Sequence, residues 1–338
     1  MKRLLPLVLL GLIACTLPVG VGQILPPTAA PTLASTASPE AGSPAVPAAK
    51  LGTSDNPLIL ALPPSPQPVS SVLAEGKILT ALLEKSSGYK FVSILPPNET
   101  ELVKAFGLNN AHIGVLSPLG YLLASDQGFV EAAFARQQSG NVFYGAQFIA
   151  RGDAGFISYY DPIKDENTAD ATVALAQFSG KKPCWTDEYS PSGYIVPLGY
   201  LNDAGVQLVT PAFVAGHPTV VRAVYAGGIC DFGATYIDAR TFPGLEDQYP
   251  DVLKKVAVIW SIPPIIPYET LDFIHGMDDD MRRSLIRAFA DIMATPDGKS
   301  AMQTLYGFDS MQVVEDSQFL DFRKEVKASG LDLNSLVK

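Results

Sequence analysis

Beyond about residue 56 the sequence predicts an α/β protein large enough for two domains. Three observations lead there. Short apolar runs of strand length alternate with segments of helical spacing, the pattern of α/β domains with mainly parallel sheets. Roughly 280 of the 338 residues follow an amino-terminal stretch rich in Pro, Ala and Ser, enough for two ordinary domains. The block from Lys182 to Arg240 twice turns from loop into helix beside groups that bind anions.

The elements follow in order. Leu58 to Leu62 reads as a strand, and Val69 to Glu84 as a helix with Leu73, Ile78, Leu79, Leu82 and Leu83 at helical spacing. Lys90–Leu95 and Ala111–Leu116 read as strands around a short helix at Glu101–Phe106. Pro118–Ala124 begins another helix, and Gly145–Ala150 is a strand leaving this first part. Then come a helix at Ala171–Phe178 and strands at Lys182–Trp185, Val206–Val209, Asp231–Tyr236 and Val256–Trp260. Helices at Asp279–Ala294, Gly298–Leu305 and Ser317–Ala328 end the chain, the first opened by Asp278-Asp279-Asp280, whose carboxylates suit a helix N-terminus.

The amino terminus reads as an export signal. Lys2 and Arg3 precede an apolar segment, Leu4 to Ile13, too short to span a bilayer. It ends in Leu12-Ile13-Ala14-Cys15, which resembles a bacterial lipobox, so residues 1–14 are expected to be removed and Cys15 lipidated. Residues 15–56 carry almost no charge and few large apolar groups. Such a segment cannot bury enough surface to offset its ordering entropy, so it reads as a flexible tether. The expected location is extracytoplasmic, on the outer face of the cytoplasmic membrane or periplasmic.

Charge narrows the partners. The formal net charge is −10; removing Lys2 and Arg3 with the leader leaves 22 basic against 34 acidic residues, or −12. Phosphate-backbone binding needs a basic surface, so nucleic acid is not expected. A small anion still fits, because local N–H and O–H donors can hold it inside a negative protein. Three scattered histidines and no Cys-x-x-Cys pair argue against a zinc site, and neither Walker nor dinucleotide signatures occur, so no cofactor or metal is expected.

The two helix starts are Ser190-Pro191-Ser192-Gly193-Tyr194 and Gly216-His217-Pro218-Thr219. Ser favours the N-cap and Pro the first helical position. A helix start presents free N–H groups and the positive end of the dipole, which together hold oxyanions. Ser190, Ser192 and His217 would add side-chain donors.

Their order resembles the phosphonate/phosphite/phosphate-binding proteins of ABC importers, in which a Ser-x-Ser-Gly-aromatic turn is followed by a helix-opening His and an Ala-Thr strand. Here those positions are Ser190–Tyr194, His217 and Asp231-Phe232-Gly233-Ala234-Thr235, with weaker similarity over most of the chain beyond residue 56. The resemblance implies a two-lobed type II periplasmic-binding-protein fold with the ligand cleft between the lobes. Residues 57–152 and 262–338 would form the first lobe, and 153–258 the second. It also implies a monomer that delivers a small anionic solute (phosphonate, phosphite or phosphate) to ABC permease subunits while held at the membrane by its lipid. The implied ligand contacts are Tyr121, Ser190, Ser192, Gly193 and His217, with Asp238 and Glu269 near where some members grip an aminoalkyl group.

Two departures stand out. Pro191 replaces the usual Thr and removes a hydroxyl, and Glu99 stands where a tyrosine is expected, where a carboxylate would repel a phosphonate unless it met a ligand amine. Other readings are a binding protein for an unrelated solute and a secreted serine hydrolase using Ser190, His217 and Asp231. The hydrolase lacks a Gly-x-Ser-x-Gly elbow, so no catalysis is expected. With Cys15 lipidated, Cys184 and Cys230 remain, and an even number in an oxidising compartment favours a disulfide.

Overall fold

The computed structural model describes residues 50–64 and 68–338. The expected leader, Cys15 and the tether up to residue 49 lie outside the described residues. Residues 50–56, expected to continue the tether, instead fold back on the body. Gly52 N–H donates to the Asn56 carbonyl at 2.7 Å, and Lys90 N–H donates to the Gly52 carbonyl at 2.8 Å.

Among the described residues there are thirteen strands: β1 Leu58–Ala61, β2 Phe91–Ile94, β3 Ile113–Leu116, β4 Val130–Arg136, β5 Phe143–Arg151, β6 Tyr160–Asp161, β7 Glu166–Asn167, β8 Pro183–Trp185, β9 Ala212–Phe213, β10 Phe232–Tyr236, β11 Val256–Pro267, β12 Thr270–Ile274 and β13 Met311–Val313. A six-stranded sheet has the order β13-β4-β12-β3-β1-β2, and a five-stranded sheet the order β11-β5-β10-β8-β9. β6 and β7 form a separate ribbon.

Both sheets are mixed, which corrects the expectation of mainly parallel pairing. In the first, β1 runs parallel to β2 and β3, while β12 and β13 add antiparallel partners. In the second, β8, β9 and β10 run parallel, whereas β5 pairs antiparallel with both β10 and β11. β5 pairs within the second sheet along its whole length, as does β11 to Pro267. The first sheet's share of the chain therefore ends near residue 142, not 152, and resumes near 268, not 262. The expected strand at Val206–Val209 does not form. Its residues bond across a loop instead, with Gly180 N–H donating to the Gln207 carbonyl at 2.7 Å and Val209 N–H to the Lys181 carbonyl at 3.3 Å. The ladder role falls to Ala212–Phe213.

Helices cover the sheets with their apolar faces. Val69–Ser87 packs Val72, Leu79 and Leu83 inward and ends on Gly88, whose φ of 78° gives the left-handed turn that favours glycine. Asp278 caps Asp279–Met293 by accepting from Met281 N–H at 3.0 Å, the role its acidic run suggested. His217–Ala226 lays Val220, Val221 and Val224 on the second sheet, against Ile149, Cys184 and Val256. Its close approach depends on Gly233, where a side chain would overlap Val220. Among the described residues no helix is long and apolar enough to cross a membrane.

Cys184 and Cys230 are joined, with a Cα–Cα separation of 5.6 Å across 46 residues of sequence. The bridge ties β8 to Cys230, two residues before its parallel neighbour β10. A loop of that length is worth about 4 kcal/mol of chain entropy, within the usual range of about 2–5 kcal/mol. Cys184→Ala/Cys230→Ala should therefore unfold at lower denaturant with the fold retained. Thiol counting on the denatured, unreduced protein without Cys15 should find no free thiol, and two would contradict the bridge.

Candidate functional site

The parallel run of β10, β8 and β9 brings their carboxyl ends to one edge of the second sheet, and both helix starts follow from it. After β8, Thr186 N–H donates to the Gly193 carbonyl at 3.3 Å, folding the Ser-rich turn back over the strand end. Ser190 is the cap, its Oγ accepting from Gly193 N–H at 3.0 Å. Pro191–Ile195 then forms a π-helical first turn that passes into the α-helix Val196–Asp203. After β9, Ala215 N–H donates to the Thr186 carbonyl at 2.8 Å, so the loop into the His217 helix hangs on the same residue. Thr186 thus links the two helix starts through its backbone. Its buried Oγ1 has no hydrogen-bond partner and lies against Gly193, where any Cβ would overlap it. Glycine is required there by contact, not by φ.

His217 is fixed from behind. Its Nδ1 accepts from Tyr236 N–H at 3.2 Å, and the Tyr236 ring meets the imidazole edge-on at 4.7 Å. A neutral imidazole that accepts at Nδ1 must carry its proton at Nε2. Burial lowers the pKa to about 4, outweighing the opposing influence of Asp187. At neutral pH the ring is therefore an uncharged Nε2–H donor.

Ser192 is buried, and its hydroxyl lies within hydrogen-bonding reach of the Tyr144 hydroxyl, whose pKa burial pushes up to about 12. The Tyr144 ring stacks on Tyr268 at 5.0 Å. Glu269, next to Tyr268 in sequence, raises the pKa of both hydroxyls by its charge. Tyr144 is the second residue of β5, and Tyr268 follows β11, so the paired strands carry this cluster to the Ser turn. Tyr144, Tyr268 and Thr186 were not foreseen from the sequence, because each is ordinary in its local context and becomes polar lining only through pairing.

Three carboxylates near this edge, Asp238, Glu269 and Glu99, have partners within the chain. Asp238 Oδ1 accepts from Gln147 Nε2 at 2.7 Å, and both its oxygens face Arg240, with Nη2 at 2.5 Å and Nε at 3.0 Å. Burial pushes the Asp238 pKa up, but the Arg240 and Gln147 bonds prevail and hold it below the ordinary value. Glu269 pairs with Arg136 Nη1 at 3.2 Å, and its carbonyl accepts from Arg136 N–H at 2.8 Å. Glu99 Oε1 accepts from Ser117 N–H at 2.5 Å and Oε2 from Ser117 Oγ at 2.8 Å. Burial nevertheless raises its pKa, and Glu269 adds repulsion.

The expected contacts therefore separate into two groups. The segments that carry Ser190, Ser192, Gly193 and His217 leave the same edge of the second sheet. Tyr121 is not brought to it. Its ring is fully buried 4.6 Å from Phe319, and its hydroxyl donates to Asp316 at 2.8 Å, which satisfies it inside the core. Asp238 and Glu269 are near the edge but paired with arginines. The hydrolase reading also fails on geometry. Ser190 caps Gly193, His217 accepts from Tyr236, and Asp231 accepts from Lys182 N–H at 2.7 Å, so no relay joins the three. Among the described residues no cluster of His, Cys, Asp or Glu could hold a metal. A cavity of about 440 Å³ lined by Ser125, Glu131, His275, Arg282 and Asp316 includes none of these four residues: Ser190, Ser192, Gly193 and His217.

The phosphate-import protein PhnD of Mycolicibacterium smegmatis is 26% identical over 194 residues, which span 53% of this chain and 55% of that protein, about half its length. XAC2383 from Xanthomonas citri, solved bound to chloride ion, superposes with a TM-score of 0.53 at 14% identity, covering 81% of this chain and 97% of its own. The same protein bound to ATP gives 0.52 at 14% identity, covering 81% and 96%. The chain shares with these structures a mixed α/β fold built on two sheets. A profile of the family described as "ABC transporter, phosphonate, periplasmic substrate-binding protein" matches residues 64–319, about three quarters of the chain. The chain belongs to that family, whose members are binding components of transporters and not enzymes.

Proposed function

We propose that this protein captures a small oxyanion of the phosphonate, phosphite or phosphate class and passes it to an ABC permease. The observation that carries the reading is the fixed tautomer of His217. Its Nδ1 is occupied by Tyr236 N–H, so Nε2–H is the donor that remains, on a helix start tied through Thr186 to the Ser190–Gly193 turn. Ser192 Oγ supplies a second donor. The unpartnered Thr186 hydroxyl stands beside the turn that Pro191 leaves one hydroxyl short. Two helix dipoles add their positive ends. All of these donors are neutral, so the site needs no lysine or arginine to hold a dianion. Closure of the first lobe over this edge would strip the ligand of water and strengthen each bond. The family and the phosphate-import relative support the ligand class. The disulfide and the Leu12-Ile13-Ala14-Cys15 segment support an exported, lipid-held protein.

Ser192→Ala and His217→Ala should each weaken binding of phosphate or methylphosphonate without unfolding the protein. A lost bond to a charged group costs about 1.5–3 kcal/mol, or roughly ten- to a hundredfold in affinity. Calorimetry decides it, and unchanged binding in both variants would remove the site.

Nitrogen-15 spectra of the imidazoles give an independent check on His217. The Nε2–H tautomer should persist at pH 7, with protonation delayed until the pH nears about 4. Because the folded value lies below the ordinary 6.5, this group's contribution to stability is complete above pH 6.5 and declines as the pH falls toward 4. Protonation near 6.5 would contradict the buried, Tyr236-bonded ring.

Cys15→Ser should release the protein from membranes or leave an uncleaved precursor, since a lipid and not a polar tether supplies membrane affinity. Identical soluble fractions for wild type and variant would refute the anchor.

A further inference from the structure

A ligand with a positively charged tail needs an acceptor when its water is removed, because a desolvated ammonium without a partner costs several kcal/mol. Besides the exposed Asp187, three carboxylates lie near the His217 and Ser192 donors. Asp238 is reached through Tyr236, the residue that bonds His217, and Glu269 through Tyr144, whose hydroxyl is in reach of Ser192. Glu99 is coupled in turn to Glu269.

Each is already satisfied within the chain. Asp238 has the most complete set, with the Arg240 side chain gripping both oxygens and Gln147 and the Arg240 N–H sharing Oδ1. Arg240 is itself fixed, because its Nη1 donates to the Val256 carbonyl at 2.9 Å. This pair is mostly buried, at 15% and 22% side-chain exposure, so solvent does little to loosen it. The Arg136–Glu269 pair is more open, at 28% and 40%, and is weaker for that reason. The backbone bond between the same two residues nevertheless holds them side by side. Glu99 has one oxygen on each donor of Ser117, and a Cβ at Gly120 would collide with it, so it is packed against the Pro118–Asp126 helix start. Asp187, the remaining acid near His217, is exposed and accepts from Tyr189 N–H at 2.9 Å.

We infer that the site selects oxyanions with an uncharged substituent or none, and discriminates against ligands that carry an ammonium tail. The two arginines do the work a ligand cation would otherwise do: they neutralise the acids so that a dianion can approach. The Ser117 bonds answer the difficulty posed by Glu99 in the same way, since a carboxylate held by two donors is not aimed at the anion. This inference rests on the oxyanion reading and narrows it.

Propylphosphonate and 2-aminoethylphosphonate test it, because they match in heavy-atom count and differ in the terminal methyl or ammonium. Calorimetry on the intact mature protein should give binding of phosphate or methylphosphonate, and propylphosphonate at least about tenfold tighter than 2-aminoethylphosphonate, the scale of one unmade charged hydrogen bond. Arg240→Gln, checked for folding by circular dichroism, should narrow that ratio by freeing Asp238. Equal or tighter binding of 2-aminoethylphosphonate by the wild type would overturn the inference while leaving the oxyanion reading intact. No binding of any of these compounds would overturn the oxyanion reading and the inference with it.

Discussion

Parallel pairing of β8 with β9 and β10 is the constraint on which the site depends. Parallel strands share a direction, so the loops after β8 and β9 leave the sheet at the same edge and their helices begin there. The register is fixed by Gly233 opposite Cys184 and by Ala212 opposite Cys184 on the other side. A slip of one residue would exchange the two buried faces of β8 and β10 and carry Thr186 away from both loops. Gly233 lets the His217 helix lie close on β10, and Tyr236 at that strand's end then meets the imidazole. The disulfide pins the same two strands where β8 runs beside β10, so covalent and hydrogen-bonded restraints act on one register.

The electrostatics follow from short-range bonds and not from total charge. A chain of net charge −10 gives no long-range attraction for an anion. Salt screens such fields over about 8–10 Å, whereas a hydrogen bond from a fixed donor acts at contact and is not screened. Neutral donors at the sheet edge and acids closed by Arg240, Arg136 and Ser117 make the immediate surroundings acceptable to a dianion. The cost is paid in order: each pairing partner has to be held by a further contact, such as Val256 for Arg240.

What could be read from the sequence was what is local. Ser190, Pro191, Gly216-His217-Pro218 and Asp278 announce helix starts because capping depends on a few consecutive residues, and those starts formed. The pairings that define the site's charge were not legible. Arg136 and Glu269 are 133 residues apart and meet only because β4 and β12 are neighbours. β4 and β12 themselves were missed, since Val130–Arg136 is rich in alanine and Thr270–Ile274 contains Asp272, which is fully buried and whose pKa burial raises well above the ordinary value. With them went the mixed character of the first sheet. Tyr121 had a motif-like context, but its hydroxyl was claimed by Asp316 from a distant 3₁₀ turn. Val206–Val209 had the composition of a strand, yet the loop at 180–181 took its backbone bonds.

The central claim is that a compact oxyanion binds between the Ser190–Gly193 turn and His217 Nε2–H. A crystal structure of the mature protein with methylphosphonate tests it most directly. The phosphonate oxygens should lie within hydrogen-bonding distance of Ser192 Oγ and His217 Nε2, with Asp238 still held by Arg240. A ligand bound instead among Glu131, His275 and Arg282, or one that breaks the Asp238–Arg240 pair to reach the carboxylate, would contradict it.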